Sequence, residues 1–234
     1  MMASRADTSY HHRRDRLATY FDSTARKAWI DLTSDVKVSG IRATVRAGRE
    51  DMRNTLLGWL PPELCRSTLL DAGCGTGALS VDAACRGAEV TAVDVASGLV
   101  DIARERAPSF LGHGKIDWKV GDMLDSALGE FDHVVAMDSL IHYSPDDMVD
   151  AIAKLARRCR KSLLFTFAPK TPLLTAMHNV GKLFPRGNRS PAIVPVSEVR
   201  LRERLSSLSE WRVQRDHRVT TGFYMSHAFE LVRR

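Results

Sequence analysis

Four acids and a run of glycines hold most of the chemistry in this 234-residue sequence. Asp71 opens the stretch Asp71-Ala72-Gly73-Cys74-Gly75-Thr76-Gly77, in which glycine recurs at every second position. An apolar run from Thr68 to Leu70 precedes it and a helical pattern begins at Ala78. The stretch therefore reads as a buried strand, a tight turn and a helix N-terminus. Glycines there permit positive φ and let a ligand approach the backbone, and the helix start offers unpaired N–H groups. Two ligands fit. Gly73, Gly75 and Ala78 satisfy the G-x-G-x-x-G/A dinucleotide pattern. The acid two residues before the first glycine instead suits a cationic amino group, such as that of S-adenosylmethionine, since it would repel a pyrophosphate.

The other three acids follow the same logic. Glu89 to Asp94 is a β-rich run ending in an acid, followed by Val95. Doubly wound sheets place a carboxylate there on ribose hydroxyls, and both ligands use it. Ile116 to Val120 is a third strand running into Gly121-Asp122-Met123, where an acid accepts a hydrogen bond from an adenine amino group. Phe131 to Asp138 is a fourth, opening onto Ser139-Leu140-Ile141-His142-Tyr143. Open α/β sheets bind ligands at the carboxyl ends of their strands. Asp71, Asp94, Asp122 and residues 138–143 are therefore expected along one edge. The cofactor-binding candidates are Asp71, Gly73, Cys74, Gly75, Gly77, Asp94, Val95, Asp122, Met123 and Asp138.

The elements that must position these residues alternate strand and helix. Helices are expected at Ala78–Arg86, Ser97–Ala107 and Pro145–Arg158, with a fifth strand at Ser162–Phe167. Repeated strand–helix units argue for a parallel, doubly wound sheet. Ser197–Leu208 is a further helix, and Trp211–Val219 and Phe223–Leu231 form a hairpin at the sheet edge around Thr221-Gly222. Upstream, residues 1–15 read as a polar tail and 15–32 as a helix that Asp22-Ser23-Thr24 could break, capping a second helix. Its aromatic residues either pack as core or form a flap over a ligand. A long helix spans Ser39–Leu60, with Ile41, Val45, Met52, Leu56 and Leu60 on one face. Arg42, Arg46, Arg49 and Arg53 make a cationic stripe on it, either a solvated face or a cradle for carboxylates. The expected division is an N-terminal helical arm over 1–62 and a sheet domain over 63–234. Within the latter, the proline-punctuated stretch 169–195 is either an inserted lid over the ligand edge or a surface excursion.

Composition narrows the class. Hydrophobic residues make up 44% and charged residues 26%, as in a soluble globular protein. The net charge of +6 admits an anionic ligand, an acidic partner or a lipid surface and selects none of them. Cys65, Cys74, Cys85 and Cys159 have no C-x-x-C spacing, so no structural zinc site is expected and the thiols read as reduced and cytoplasmic. The arginine-bearing start has no apolar core, so it is not read as a secretory signal. No stretch has the apolar length of a membrane span.

The glycine loop in this framework resembles that of the class I S-adenosylmethionine-dependent methyltransferases, and the whole pattern is similar to their fold. Tyr20-Phe21-Asp22-Ser23-Thr24, the DAGCGTGALS run at 71–80, Ser139-Leu140-Ile141-His142-Tyr143 and Phe165-Thr166-Phe167-Ala168-Pro169-Lys170-Thr171 look like the magnesium-protoporphyrin IX O-methyltransferases of chlorophyll and bacteriochlorophyll biosynthesis. The similarity runs from about Tyr20 to the C-terminus. It departs at Ala25-Arg26-Lys27-Ala28-Trp29, where relatives show Gly-Phe and then Trp. The resemblance implies a mostly parallel, seven-stranded sheet and S-adenosyl-L-methionine as co-substrate. It implies magnesium protoporphyrin IX as acceptor, its magnesium being the only metal, with one propionate converted to a methyl ester. His142 and Tyr20 then become orienting groups at the reacting centre. It also raises the porphyrin-binding subunit of magnesium chelatase and a membrane surface as partners. A phenol or quinone-precursor methyltransferase would share every cofactor residue and need His142 as a true base. No N-P-P-[YF] motif or aromatic-interleaved basic strand is present, so no nucleic-acid partner is expected.

Overall fold

The computed structural model describes residues 5–24, 31–33, 40–171 and 193–234. Strand β1 (Thr68–Ala72) is buried from Leu69 onward. Its side chains feed two separate cores, Leu70 and Ala72 on one face and Leu69 on the other. A strand buried on both faces is what a covered parallel sheet demands. β1 pairs in parallel with β2 (Glu89–Asp94) and with β4 (Phe131–Ala136). Outward from these lie β3 (Lys115–Val120) and β5 (Cys159–Phe167), also parallel. The last two strands are β6 (Trp211–Thr221) and β7 (Tyr224–Arg233). β7 inserts antiparallel between β5 and β6, giving the order β3-β2-β1-β4-β5-β7-β6. This is the mostly parallel seven-stranded sheet expected from the sequence.

The α-helices that flank it include α1 (Arg5–Thr19), α2 (Gly40–Trp59), α3 (Ala78–Cys85), α4 (Ser97–Arg106), α5 (Pro145–Arg157) and α6 (Glu198–Leu205). α5 shows why they start and stop where they do. The Ser144 hydroxyl accepts from the Asp147 amide at 3.1 Å, Pro145 follows, acids fill the first turn and Lys154 and Arg157 the last. Met52 and Leu56 of α2 are fully buried with Leu69 and α3. Truncating such a leucine to alanine typically costs roughly 2–5 kcal/mol.

The N-terminus differs from expectation. Residues 1–15 are not a polar tail throughout, because α1 already begins at Arg5. Tyr10, 4% exposed, and Leu17, 5% exposed, lie seven apart on one helical face and join the core that α5 and α6 also close. Burial of those two side chains overrides the polar composition around them. The residue 25–29 departure and most of the 169–195 stretch lie outside the described residues. The ends of that stretch are tied to the sheet edge, Val194 N donating to the Ile141 carbonyl and Val196 N to that of Ala168, both at 2.8 Å.

Glu198, Asp216 and His227 bring ligand-type atoms within 4.8 Å of one another at the α6–β6–β7 junction. Arg202 bonds both carboxylates, at 3.1 and 2.7 Å, and His227 Nε2 lies 2.9 Å from Asp216. Guanidinium charge satisfies the acids there, so the cluster is an ion-pair knot holding the antiparallel edge.

Candidate active site

The glycine loop is fastened to the end of β2. The amides of Gly73 and Cys74 both donate to the Val93 carbonyl, at 2.8 and 3.0 Å. Gly75 N donates to Asp94 Oδ2 at 2.8 Å, and Ala96 N to Oδ1 at 2.9 Å. Gly73 has φ +89°, and a Cβ there would stand 2.4 Å from the Ser139 Cβ. Gly77 has φ +80°, and a Cβ there would stand 2.4 Å from the Trp118 ring. No other residue type fits either position, so the loop geometry and the two glycines require each other.

Above this loop lies a cavity of about 690 Å³, within the size range of small-molecule sites. Asp71, Gly73, Cys74, Gly75, Asp94, Val95, Met123, Asp138, His142 and Tyr20 line it. Gly77 and Asp122 do not. Gly77 serves the turn. The Asp122 carboxylate accepts from Tyr10 Oη at 2.7 Å, Arg14 at 2.9 Å and its own loop at Leu124 N, 2.9 Å. Those bonds tie the loop after β3 to α1.

Burial sets the electrostatics of the cavity floor. Asp71 is 2% exposed and accepts from the Ser80 hydroxyl at 2.6 Å. Loss of solvent pushes its carboxyl up to about 7, Ser80 opposing and the Asp94 charge adding to the rise. Asp94 is raised by burial as well, with the Ala96 and Gly75 amides pulling it back. A buried acid, Asp71, and a half-buried one, Asp94, beside a glycine loop make an environment that a cation would relieve, and the sulfonium and ammonium of S-adenosylmethionine fit it. Burial and both acids also raise the Cys74 thiol. It stays protonated at neutral pH and is no nucleophile.

The arm covers one side. Leu17, Tyr20 and Phe21 line the cavity. Tyr10 stacks on Tyr143 with centroids 4.9 Å apart, and Phe21 lies 6.2 Å from the His142 ring. After α1 the chain makes a wide turn, Tyr20–Thr24. Asp22 caps a helix far along the chain: its carboxylate accepts from Gly98 N at 2.8 Å and Ser97 N at 3.2 Å, at the start of α4. That bond pins the arm to the sheet domain.

The arginine stripe of α2 faces the cavity, with Arg46, Arg49 and Arg53 half-buried and Arg42 exposed at its rim. Arg42, Arg46, Arg49 and Arg53 all line the cavity. Arg49 donates to Asp138 Oδ2 at 2.6 Å, and Tyr224 Oη donates to the same carboxylate at 3.0 Å. Asp138 has φ +53° and is locked by its amide on Thr166 Oγ1 at 2.7 Å. Tyr10, Arg14, Arg49, Thr166 and Tyr224 were absent from the sequence-derived set. Arg49 stands at helical spacing with three other arginines and Thr166 in the Phe165–Thr171 stretch, whereas Tyr10, Arg14 and Tyr224 act through contacts far apart in the chain.

Comparisons with known proteins agree with this geometry. Residues 69–162 match a methyltransferase domain family, and residues 136–233 match the family described as magnesium-protoporphyrin IX methyltransferase C-terminus. The chain is 46% identical over 95% of its length to a magnesium-protoporphyrin O-methyltransferase of Rhodobacter capsulatus, 98% of which is covered. It is 31% identical to the Synechocystis protein of the same name, over 92% of this chain and 94% of that one. Its structure resembles the crystal structure of magnesium protoporphyrin IX methyltransferase from Synechocystis PCC 6803 with bound SAH, with a TM-score of 0.83 and 29% identity over 94% of this chain and 99% of that one.

Proposed function

The chain belongs to the magnesium-protoporphyrin IX methyltransferase family, and from that premise we propose how its residues divide the work. It transfers the methyl group of S-adenosylmethionine to a propionate carboxylate of magnesium protoporphyrin IX, giving the monomethyl ester. One observation carries the reading from the geometry: a single cavity has acids, Asp71 buried and Asp94 half-buried, for a cationic donor and arginines for an anionic acceptor.

The reaction makes few demands. A carboxylate oxygen forms a bond to the methyl carbon, the carbon–sulfur bond breaks, and its electron pair stays on sulfur as a thioether. No proton moves, since a propionate is ionised at neutral pH. The protein must align oxygen, carbon and sulfur and keep water from the nucleophile. Asp71 holds the donor's ammonium and Asp94 its ribose hydroxyls, while Val95 and Met123 border the adenine. Gly73, Cys74 and Gly75 bring backbone against the donor, and Asp138 with Arg49 closes the floor. His142 and Tyr20 orient the acceptor, with Leu17 and Phe21 excluding solvent. Residues 1–62 act as an arm, 63–234 as the catalytic domain and 169–195 as its lid. The porphyrin-binding subunit of magnesium chelatase is the donor of substrate in this reading. The +6 chain meets a membrane only peripherally, as no helix among the described residues is long and apolar enough to cross one.

An absorbance titration tests the acceptor. With S-adenosylhomocysteine present, magnesium protoporphyrin IX should show a saturable Soret shift. A linear, unsaturable response would remove the porphyrin from the site.

A further inference from the structure

The rim of the cavity carries a cation with no partner among the described residues. Of the four α2 arginines that line it, three are committed. Arg46 donates to the carbonyls of Asp31 and Leu32 at 2.7 and 2.9 Å, Arg49 to Asp138 at 2.6 Å, and Arg53 pairs with Asp82 at 2.9 Å. Arg42 is exposed and makes no hydrogen bond or ion pair among the described residues. It also stands in the first turn of α2, where the positive end of the helix dipole disfavours a cation unless an anion joins it.

Exposed apolar side chains share the rim with Arg42. Ile41 beside it is 56% exposed, and Phe223, 51% exposed, and Ile193, 40% exposed, line the same cavity. The β6–β7 turn that bears Phe223 packs on the start of α2, for a Cβ at Gly222 would lie 2.6 Å from Thr44 Oγ1. Exposed apolar side chains beside a guanidinium that is unpaired among the described residues match an amphiphile with a flat ring and a pendant carboxylate. Protoporphyrin carries two propionates, and only one is methylated.

We propose that Arg42 receives the carboxylate of the unreacted propionate while Phe223 and Ile193 lie against the macrocycle, so that Arg42 selects a dicarboxylic acceptor. This rests on the acceptor assigned above. A guanidinium fork matches a carboxylate in two parallel hydrogen bonds, which a lysine ammonium does not reproduce.

The test compares wild type, Arg42→Ala and Arg42→Lys on two acceptors: magnesium protoporphyrin IX, and the same compound with its unreacted propionate already esterified. Wild type should show a KM about tenfold lower for the diacid, the scale of one exposed charge-assisted contact. Arg42→Ala should raise the diacid KM to that of the ester and lose the discrimination, with Arg42→Lys between. Calorimetric affinity for S-adenosylmethionine should be the same in all three, which shows the variants are folded. An Arg42→Ala protein that still prefers the diacid as wild type does overturns the proposal. A wild-type protein that methylates neither acceptor overturns the functional reading and this inference together.

Discussion

The phenol of Tyr10 donates to the carboxylate of Asp122 across 2.7 Å, joining the N-terminal helix to the loop after β3. Tyr10 is 4% exposed, and burial raises its phenol further from ionisation, so the hydroxyl remains a donor at any working pH. This bond and the Asp22 cap on α4 are the latches of the arm.

Tyr10→Phe should loosen the arm without disturbing the sheet. A hydrogen bond to a charged group contributes roughly 1.5–3 kcal/mol, so trypsin should cut at Arg13, Arg14 or Arg16 about tenfold faster in the variant. In wild type the cut should slow further once S-adenosylhomocysteine and porphyrin are bound. Equal rates in all states would mean that the arm does not gate the cavity.

Asp71 links donor binding to pH. Its carboxyl is held near 7 in the free protein, so it is protonated below that pH and ionised above it. An ammonium binds the ionised form. Donor affinity should therefore rise by up to about tenfold per pH unit from roughly pH 6 towards 7, the slope of one released proton. Stability of the free protein runs the other way. An unfolded Asp ionises near 3.9, so stability is lost as pH climbs from there through 7. Asp71→Asn should flatten both curves in calorimetry and in urea unfolding, and a variant with wild-type slopes would assign the proton elsewhere.

Asp94 holds the loop amides of Gly75 and Ala96 while facing the cavity. Asp94→Ala should weaken S-adenosylmethionine binding on the order of 1.5–3 kcal/mol by loss of charge-assisted bonds. Asp94→Asn, which keeps an acceptor, should lose less. Unchanged calorimetric affinity in both would take Asp94 out of the ribose site.

The sequence made the cofactor floor readable because its signals are local. Asp71 and the glycines occupy consecutive positions, and Asp94 ends a strand whose pattern is plain. The acceptor side depends on contacts between distant residues. On the donor side too, nothing in the loop of Asp122 shows that Tyr10, far away in the chain, donates to it. The arm helix was placed from Asp15 because the residues before it are polar, and only packing of Tyr10 and Leu17 on the sheet reveals its start at Arg5. The arginine spacing showed one charged face but not that it turns toward the cavity.

His142 separates an orienting group from a base. A carboxylate nucleophile leaves it no proton to remove, so His142→Asn should keep partial turnover. Lost orientation should cost roughly ten- to a hundredfold, and neither protein should show a basic limb set by imidazole. With a phenol as acceptor the loss should reach up to about 10⁴-fold, and wild-type rates should rise through the imidazole pKa. Single-turnover rates against pH for both proteins distinguish the two.

The most direct test of the central claim is identification of the methylated product. The protein is incubated with isotopically methyl-labelled S-adenosylmethionine and magnesium protoporphyrin IX, and the porphyrin is isolated and saponified. The account predicts one labelled methyl per porphyrin, released by base as methanol, because it sits on a carboxylate ester. A base-stable label, or label appearing only on an added phenolic quinone precursor, would contradict it.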